Sequence, residues 1–150
     1  MEESGLDRRI VEWVAARCDG RIERIERAIA RREAWLVDVV RGDGSRQELF
    51  LRLAHPGDPA NASSALALET RVVRALAGTG VPVPGVVGVL DSLHVVLFER
   101  IAGRSNLHDD TPERQDAVYR DYLEILGRLH ALDAAKLDTW ARAMKPTSAT

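Results

Sequence analysis

The chain has 150 residues, enough for one domain with a genuine hydrophobic core but not for several. Hydrophobic residues make up 45% and charged residues 29%, and a net charge of −2 gives no electrostatic footprint for nucleic acid or an anionic membrane. A single cysteine, Cys18, excludes an internal disulfide and fits a reducing cytoplasm, and no apolar run approaches the ~18 residues of a membrane span.

The first predicted helix covers residues 6–18. Ser4 and Asp7 are its capping signal, and Leu6, Ile10, Trp13, Val14 and Cys18 form its apolar stripe. Asp19-Gly20 ends it. Residues 21–30 carry two signals: Ile22, Ile25 and Ile29 have helical spacing, yet the segment follows Asp-Gly and leads into strand-like sequence. It is read as a first antiparallel strand. Residues 34–40 put Trp35, Val37 and Val39 on one face, and residues 47–53 do the same with Leu49, Leu51 and Leu53. Gly42-Asp43-Gly44-Ser45 is the turn of this hairpin.

Residues 55–64 are rich in Pro, Gly, Asp, Asn and Ser and read as a loop. Ser63 or Ser64 then caps a helix that ends at Ala77, before Gly78-Thr79-Gly80. Its predicted buried stripe is Leu68, Val72, Ala75 and Leu76. Val81-Pro82-Val83-Pro84 imposes an extended approach to two strands, 86–90 and 94–101, joined at Asp91-Ser92. Residues 102–110 form a polar linker. Thr111 caps a long helix with Pro112 at its first position, and Val118, Tyr122, Ile125, Leu126, Leu129 and Leu132 mark its apolar face. A short amphipathic segment around Leu137 and Trp140 follows, and residues 145–150 read as a disordered tail. Together these elements predict an α+β fold: a five-stranded antiparallel sheet with one inserted helix, an N-terminal helix and C-terminal helices.

Six runs in this order resemble the aminoglycoside-phosphotransferase-like branch of the protein-kinase-like fold, in particular the phosphotransferases associated with acyl-CoA dehydrogenases. They are Arg32-Glu33-Ala34-Trp35-Leu36-Val37-Asp38-Val39, Leu49-Phe50-Leu51-Arg52-Leu53, and the helical run from Leu68-Glu69-Thr70 to Leu76. Val81-Pro82-Val83-Pro84, Leu97-Phe98-Glu99-Arg100-Ile101-Ala102-Gly103-Arg104 and Leu129-His130-Ala131-Leu132-Asp133 complete the set. The resemblance implies an ATP-binding small lobe at 1–101, a linker and the first helices of a second lobe at 102–144, and a tail at 145–150.

The resemblance also implies a site. With the leucines of residues 49–53 inward, Phe50 and Arg52 face the other side of the sheet. Only Lys136 and Lys145 are lysines, so a phosphate contact before them must use arginine or backbone N–H groups. Arg52 would grip the ATP phosphates through its guanidinium fork, and Glu69 would hold Arg52 in place as glutamate holds lysine in protein kinases. Adenine would meet the backbone at Glu99, Arg100 and Ile101. His55-Pro56-Gly57-Asp58-Pro59-Ala60-Asn61 has the composition of the family's catalytic loop but not its H-x-D-x-x-x-x-N spacing, and reads as a turn.

Two departures from the family lower the expected activity. No glycine lies between Gly20 and Gly42, where a phosphate-cradling loop is expected near residues 30–33, so nucleotide binding should be weak. No catalytic-loop or metal-binding motif precedes Thr150. The expectation is a truncated, inactive phosphotransferase lobe that would need a complementing C-terminal lobe to hold Mg²⁺, or that self-associates through the helix after Thr111. The alternative is a non-catalytic binding or scaffolding module that kept the fold.

Overall fold

The computed structural model describes residues 5–28, 33–54, 59–103, 106–133 and 135. Two compact units divide the chain. One holds the residues up to Thr70 together with Pro84–Arg100, and the other holds Arg71–Val83 and the residues from Ile101 onward.

The first unit is built on an antiparallel sheet of five strands in the order β1-β2-β3-β5-β4. The strands are β1 (Gly20–Arg27), β2 (Ala34–Arg41), β3 (Arg46–Leu53), β4 (Val86–Leu90) and β5 (Val95–Glu99). Helix α1 (Arg8–Cys18) covers one face. It starts two residues later than the sequence suggests, because the Asp7 carboxylate accepts a hydrogen bond from the Arg9 amide and is itself the N-cap. Ile10, Val14 and Cys18 pack with Trp35, Val37, Val39, Leu49, Leu51, Val95 and Leu97 in one buried cluster. Burial also pushes the Cys18 thiol above its usual range, since a thiolate there would lose its hydration.

The two signals in β1 have a single cause. Ile22 pairs with Val39 and Arg24 with Asp38, so Glu23 is an extra residue in the ladder. This bulge turns Ile22 and Ile25 to the same face despite their spacing of three, and both pack against the core. The isoleucine spacing is that of a bulged strand.

Gly20 shows why β1 begins where it does. A Cβ there would lie 2.6 Å from the Val39 side chain and 2.7 Å from the Val40 carbonyl oxygen. Asp19 before it takes the left-handed conformation that closes α1. At the same end of β2, Gly44 at φ +82 completes the hairpin turn, in which the Asp43 carboxylate accepts from the Ser45 amide at 2.9 Å.

Helix α2 (Pro59–Leu76) corrects two expectations. It begins at Pro59, well before Ser63, because proline at the first position needs no N–H partner and its fixed φ suits a helix. Residues 59–64 of the expected loop are therefore helical. Its inward face is also different: Leu66 and Thr70 are buried, while Leu68 and Val72 are exposed. The Thr70 hydroxyl donates to the Leu66 carbonyl at 2.8 Å, which lets a polar residue occupy a buried position.

Between β4 and β5 a short 3-10 turn (Asp91–Leu93) ends at His94 in the left-handed conformation, so β5 starts at Val95. In the second unit, α3 (Pro112–His130) has Thr111 as its N-cap and proline at its start, as expected. It buries none of its residues. Tyr119 and Leu123, outside the expected stripe, join Val118, Tyr122 and Leu129 as exposed apolar side chains. Among the described residues no helix is long and apolar enough to cross a membrane. The amphipathic segment around Leu137 and the tail at 145–150 lie outside the described residues.

Glycine substitutions test the packing at β1. Gly20→Ala should cost about 2 kcal/mol in denaturant unfolding, because the new methyl meets backbone that cannot yield. Gly42→Ala, with open space around it, should stay within about 0.5 kcal/mol of the parent. Equal effects at the two positions would contradict the register at Gly20.

Candidate functional site

The face of the sheet turned away from α1 is organised in three rows across β2, β3 and β5. Ala34 pairs with Arg52 and Arg52 with Val96; Leu36 pairs with Phe50 and Phe50 with Phe98. In the third row Asp38 pairs with Glu48, and the Arg100 amide donates to the Glu48 carbonyl at 3.1 Å. Rows two residues apart along a strand are separated by about 7 Å. The middle row is apolar. Charge is confined to the ends.

Arg52 sits in the first row with its side chain 15% exposed. Nη1 donates to Glu69 Oε1 at 2.8 Å and Nη2 to Oε2 at 3.2 Å, a fork on one carboxylate. The pair joins the sheet to α2, on the helical face that carries Leu66 and Thr70. Arg52 Nε is buried and has no hydrogen-bond partner among the described residues. The guanidinium is thus fixed in direction and still has a donor to satisfy.

The three residues expected around adenine separate. Glu99 pairs with Leu49, so its side chain lies on the α1 side of the sheet, where it passes over Gly85; the Glu99 amide donates to the Gly85 carbonyl at 2.8 Å. The Arg100 side chain folds back onto the sheet, 17% exposed, between Asp38 and Glu48, with Glu48 Oε1 at 2.7 Å. Ile101 is the first residue of the other unit and is exposed. Asp38 and Glu48 were not anticipated as partners. The available signal was Asp38 itself, a lone carboxylate inside the apolar run Ala34-Trp35-Leu36-Val37-Asp38-Val39-Val40.

Residues 55–58, the first four of the run that resembles a catalytic loop in composition, lie outside the described residues, and Pro59-Ala60-Asn61 is the first turn of α2. Residues 30–32 of the expected phosphate loop also lie outside them. Among the described residues no cluster of three His, Cys, Asp or Glu side chains could hold a metal ion.

The chain also has relatives among known proteins. The profile of the phosphotransferase enzyme family, APH, matches residues 30–147. The chain belongs to that family. In the mouse (Mus musculus), acyl-CoA dehydrogenase family member 10 is 29% identical over 107 residues, covering 64% of this chain and 10% of the relative. The solved ternary complex of streptomycin, ATP and APH(2")-IIa has the same fold, with a TM-score of 0.55 at 18% identity. That match covers 85% of this chain and 41% of the solved chain. The fold is therefore the kinase-like small lobe, and the chain spans less than half the length of each of these two proteins.

The energetic weight of the Arg52–Glu69 pair can be measured directly. A double-mutant cycle with Arg52→Ala and Glu69→Ala should give a coupling of about 1 kcal/mol, discounted for the solvent that reaches Glu69. A coupling near zero would mean that the two side chains are neighbours without holding one another.

Proposed function

We propose that this APH chain is the nucleotide-binding lobe of a small-molecule phosphotransferase, taking ATP on the sheet face that carries Arg52 and Phe50. The observation that carries the reading is the Arg52–Glu69 pair: a cation largely withdrawn from water, aimed by a carboxylate, on the sheet of a phosphotransferase fold. The donor set fits a polyphosphate, because the guanidinium retains donors beyond those spent on Glu69 and its Nε lacks an acceptor among the described residues. Leu36, Phe50 and Phe98 form an apolar row on which a base can stack, one row from the cation. Glu99 would contribute main-chain atoms only, since its side chain is on the opposite face. The structural neighbour that holds ATP supports the same reading.

ATP, when bound, supplies the phosphoryl group. This chain's residues would orient the phosphates through Arg52, hold Arg52 through Glu69, and shield the base on the Leu36–Phe98 row. Transfer also needs an aspartate beside the acceptor hydroxyl and oxygen ligands for Mg²⁺. An aspartate five residues before Asn61 or Asn106 would fall at Pro56 or Ile101, so neither asparagine completes the family's pattern. We therefore infer that the 150-residue chain binds nucleotide weakly and transfers no phosphate. The absence of glycine between Gly20 and Gly42 favours the second reading, a binding or scaffolding module that kept the fold.

Calorimetric titration separates the two. ATP should bind with a Kd on the order of 100 μM or weaker, binding should be lost with Arg52→Ala, and no ADP should accumulate with Mg²⁺ and aminoglycosides or hydroxyacyl compounds. Complete absence of ATP binding would favour the scaffold. Turnover that disappears with Arg52→Ala would mean that another residue of this chain serves as the base.

We also propose that the exposed apolar face of α3 is covered in solution by a second copy of the chain, because Tyr119, Tyr122 and Leu123 are each more than half exposed. Sedimentation at micromolar concentration should show association that Tyr122→Glu with Leu123→Glu abolishes. A monodisperse monomer of the parent chain would overturn this.

A further inference from the structure

Arg100 is the last residue of the sheet-bearing unit, and it is tied down twice. Its amide donates to the Glu48 carbonyl, and its guanidinium, 17% exposed, bridges the Asp38 carboxylate of β2 and the Glu48 carboxylate of β3. Asp38 receives a second cation from β1, with Arg24 Nη1 at 4.0 Å. Four strands therefore meet in one ionic ladder: β1 through Arg24, β2 through Asp38, β3 through Glu48, and the end of β5 through Arg100. Arginine suits this position because its planar fork can address two carboxylates at once, which a lysine ammonium does less directionally.

A strand end normally frays, and a residue one step beyond it has no ladder to define its direction. Here the first residue after β5 is fixed by main chain and side chain together. Glu99, whose main-chain atoms would read the base, lies between Arg100 and the buried Phe98. It is held from both sides.

The geometry points to Arg100 as a positioning residue that sets base selectivity: by anchoring the strand exit to Asp38 and Glu48, it holds the Glu99 carbonyl in register to accept from the adenine amino group, which guanine lacks at that edge, without itself touching the nucleotide. This rests on the nucleotide-binding reading above. The phosphate cation, Arg52, lies two rows away in the same sheet, about 13 Å along the strands, so recognition of base and phosphate is assigned to opposite ends of one face.

The test is the ratio of ATP to GTP affinity, measured by titration of the 150-residue chain and its variants. The parent chain should prefer ATP. Arg100→Ala should weaken ATP roughly tenfold while GTP changes little, so that the preference collapses toward one. Asp38→Asn, which keeps the side-chain shape and removes one of the two carboxylates, should move the ratio in the same direction by less. It serves as the measurement if Arg100→Ala does not fold. Arg100→Lys should recover part of the preference.

A general loosening of the sheet would weaken ATP and GTP in step, and that result would overturn the inference. So would an unchanged ratio in both variants, or a parent chain that binds the two nucleotides equally; these leave the nucleotide reading intact. A parent chain that binds neither nucleotide removes the reading and this inference with it.

Discussion

A guanidinium that lies mostly out of water has to be paired, and β3 puts one there. Leu49 and Leu51 must face α1 to build the core, and strand alternation then sends Arg52 to the other side of a central strand, between Ala34 and Val96. Neither neighbour can solvate a cation. Glu69 is the answer to that constraint, and it dictates which way α2 must turn. A helix that offers Glu69 to the sheet also offers Leu66 and Thr70, three residues before and one after, and turns Leu68 and Val72 outward. The inward face of α2 follows from an arginine on β3 as much as from its own hydrophobic pattern.

That dependence explains where the sequence could be read and where it could not. The strands were legible because alternation is a local property: Trp35, Val37, Val39, Leu49 and Leu51 announce their face with no knowledge of their partners. The bulge at Glu23 gave β1 a competing helical signal beside its strand reading, since one extra residue changes an alternating pattern into a spacing of three. The stripe on α2 was misjudged for the opposite reason. Apolarity favoured Leu68 and Val72, but the tertiary constraint was electrostatic, and Thr70 could be buried because its hydroxyl bonds the helix's own carbonyl. The pairing of Arg52 with Glu69 was legible through the family pattern. The destination of the Arg100 side chain was not, because it depends on two carboxylates from strands more than fifty residues away in the chain.

The charged rows also bear on how the sheet keeps its shape. The surface pairs Arg8–Glu12 and Arg46–Glu23 are largely solvated, and such pairs contribute little. Arg52–Glu69 and Arg100–Asp38 are different, because each is largely shielded from water. Removing one partner would strand the other, which costs more than the pair itself contributes. The ionic contacts that matter to this fold are therefore those at the two ends of the sheet face away from α1.

Between those ends lies an apolar row, Leu36, Phe50 and Phe98, with no charge of its own. A folding constraint alone would not require this order. A purely structural sheet face under a helix could be apolar throughout, as the α1 face is, with Ile10, Val14, Trp35, Leu51 and Leu97 in one continuous cluster. The second face instead brings a directed cation, an apolar platform and a pinned strand exit into sequence over roughly 13 Å. A nucleotide has the same order of chemistry along its length: anionic phosphates, a sugar, and a flat base with hydrogen-bonding edges. The two faces of this sheet share strands, register and twist, so the difference between them lies in the side chains alone. One face is covered by α1, and the other carries the side chains proposed above to meet a nucleotide.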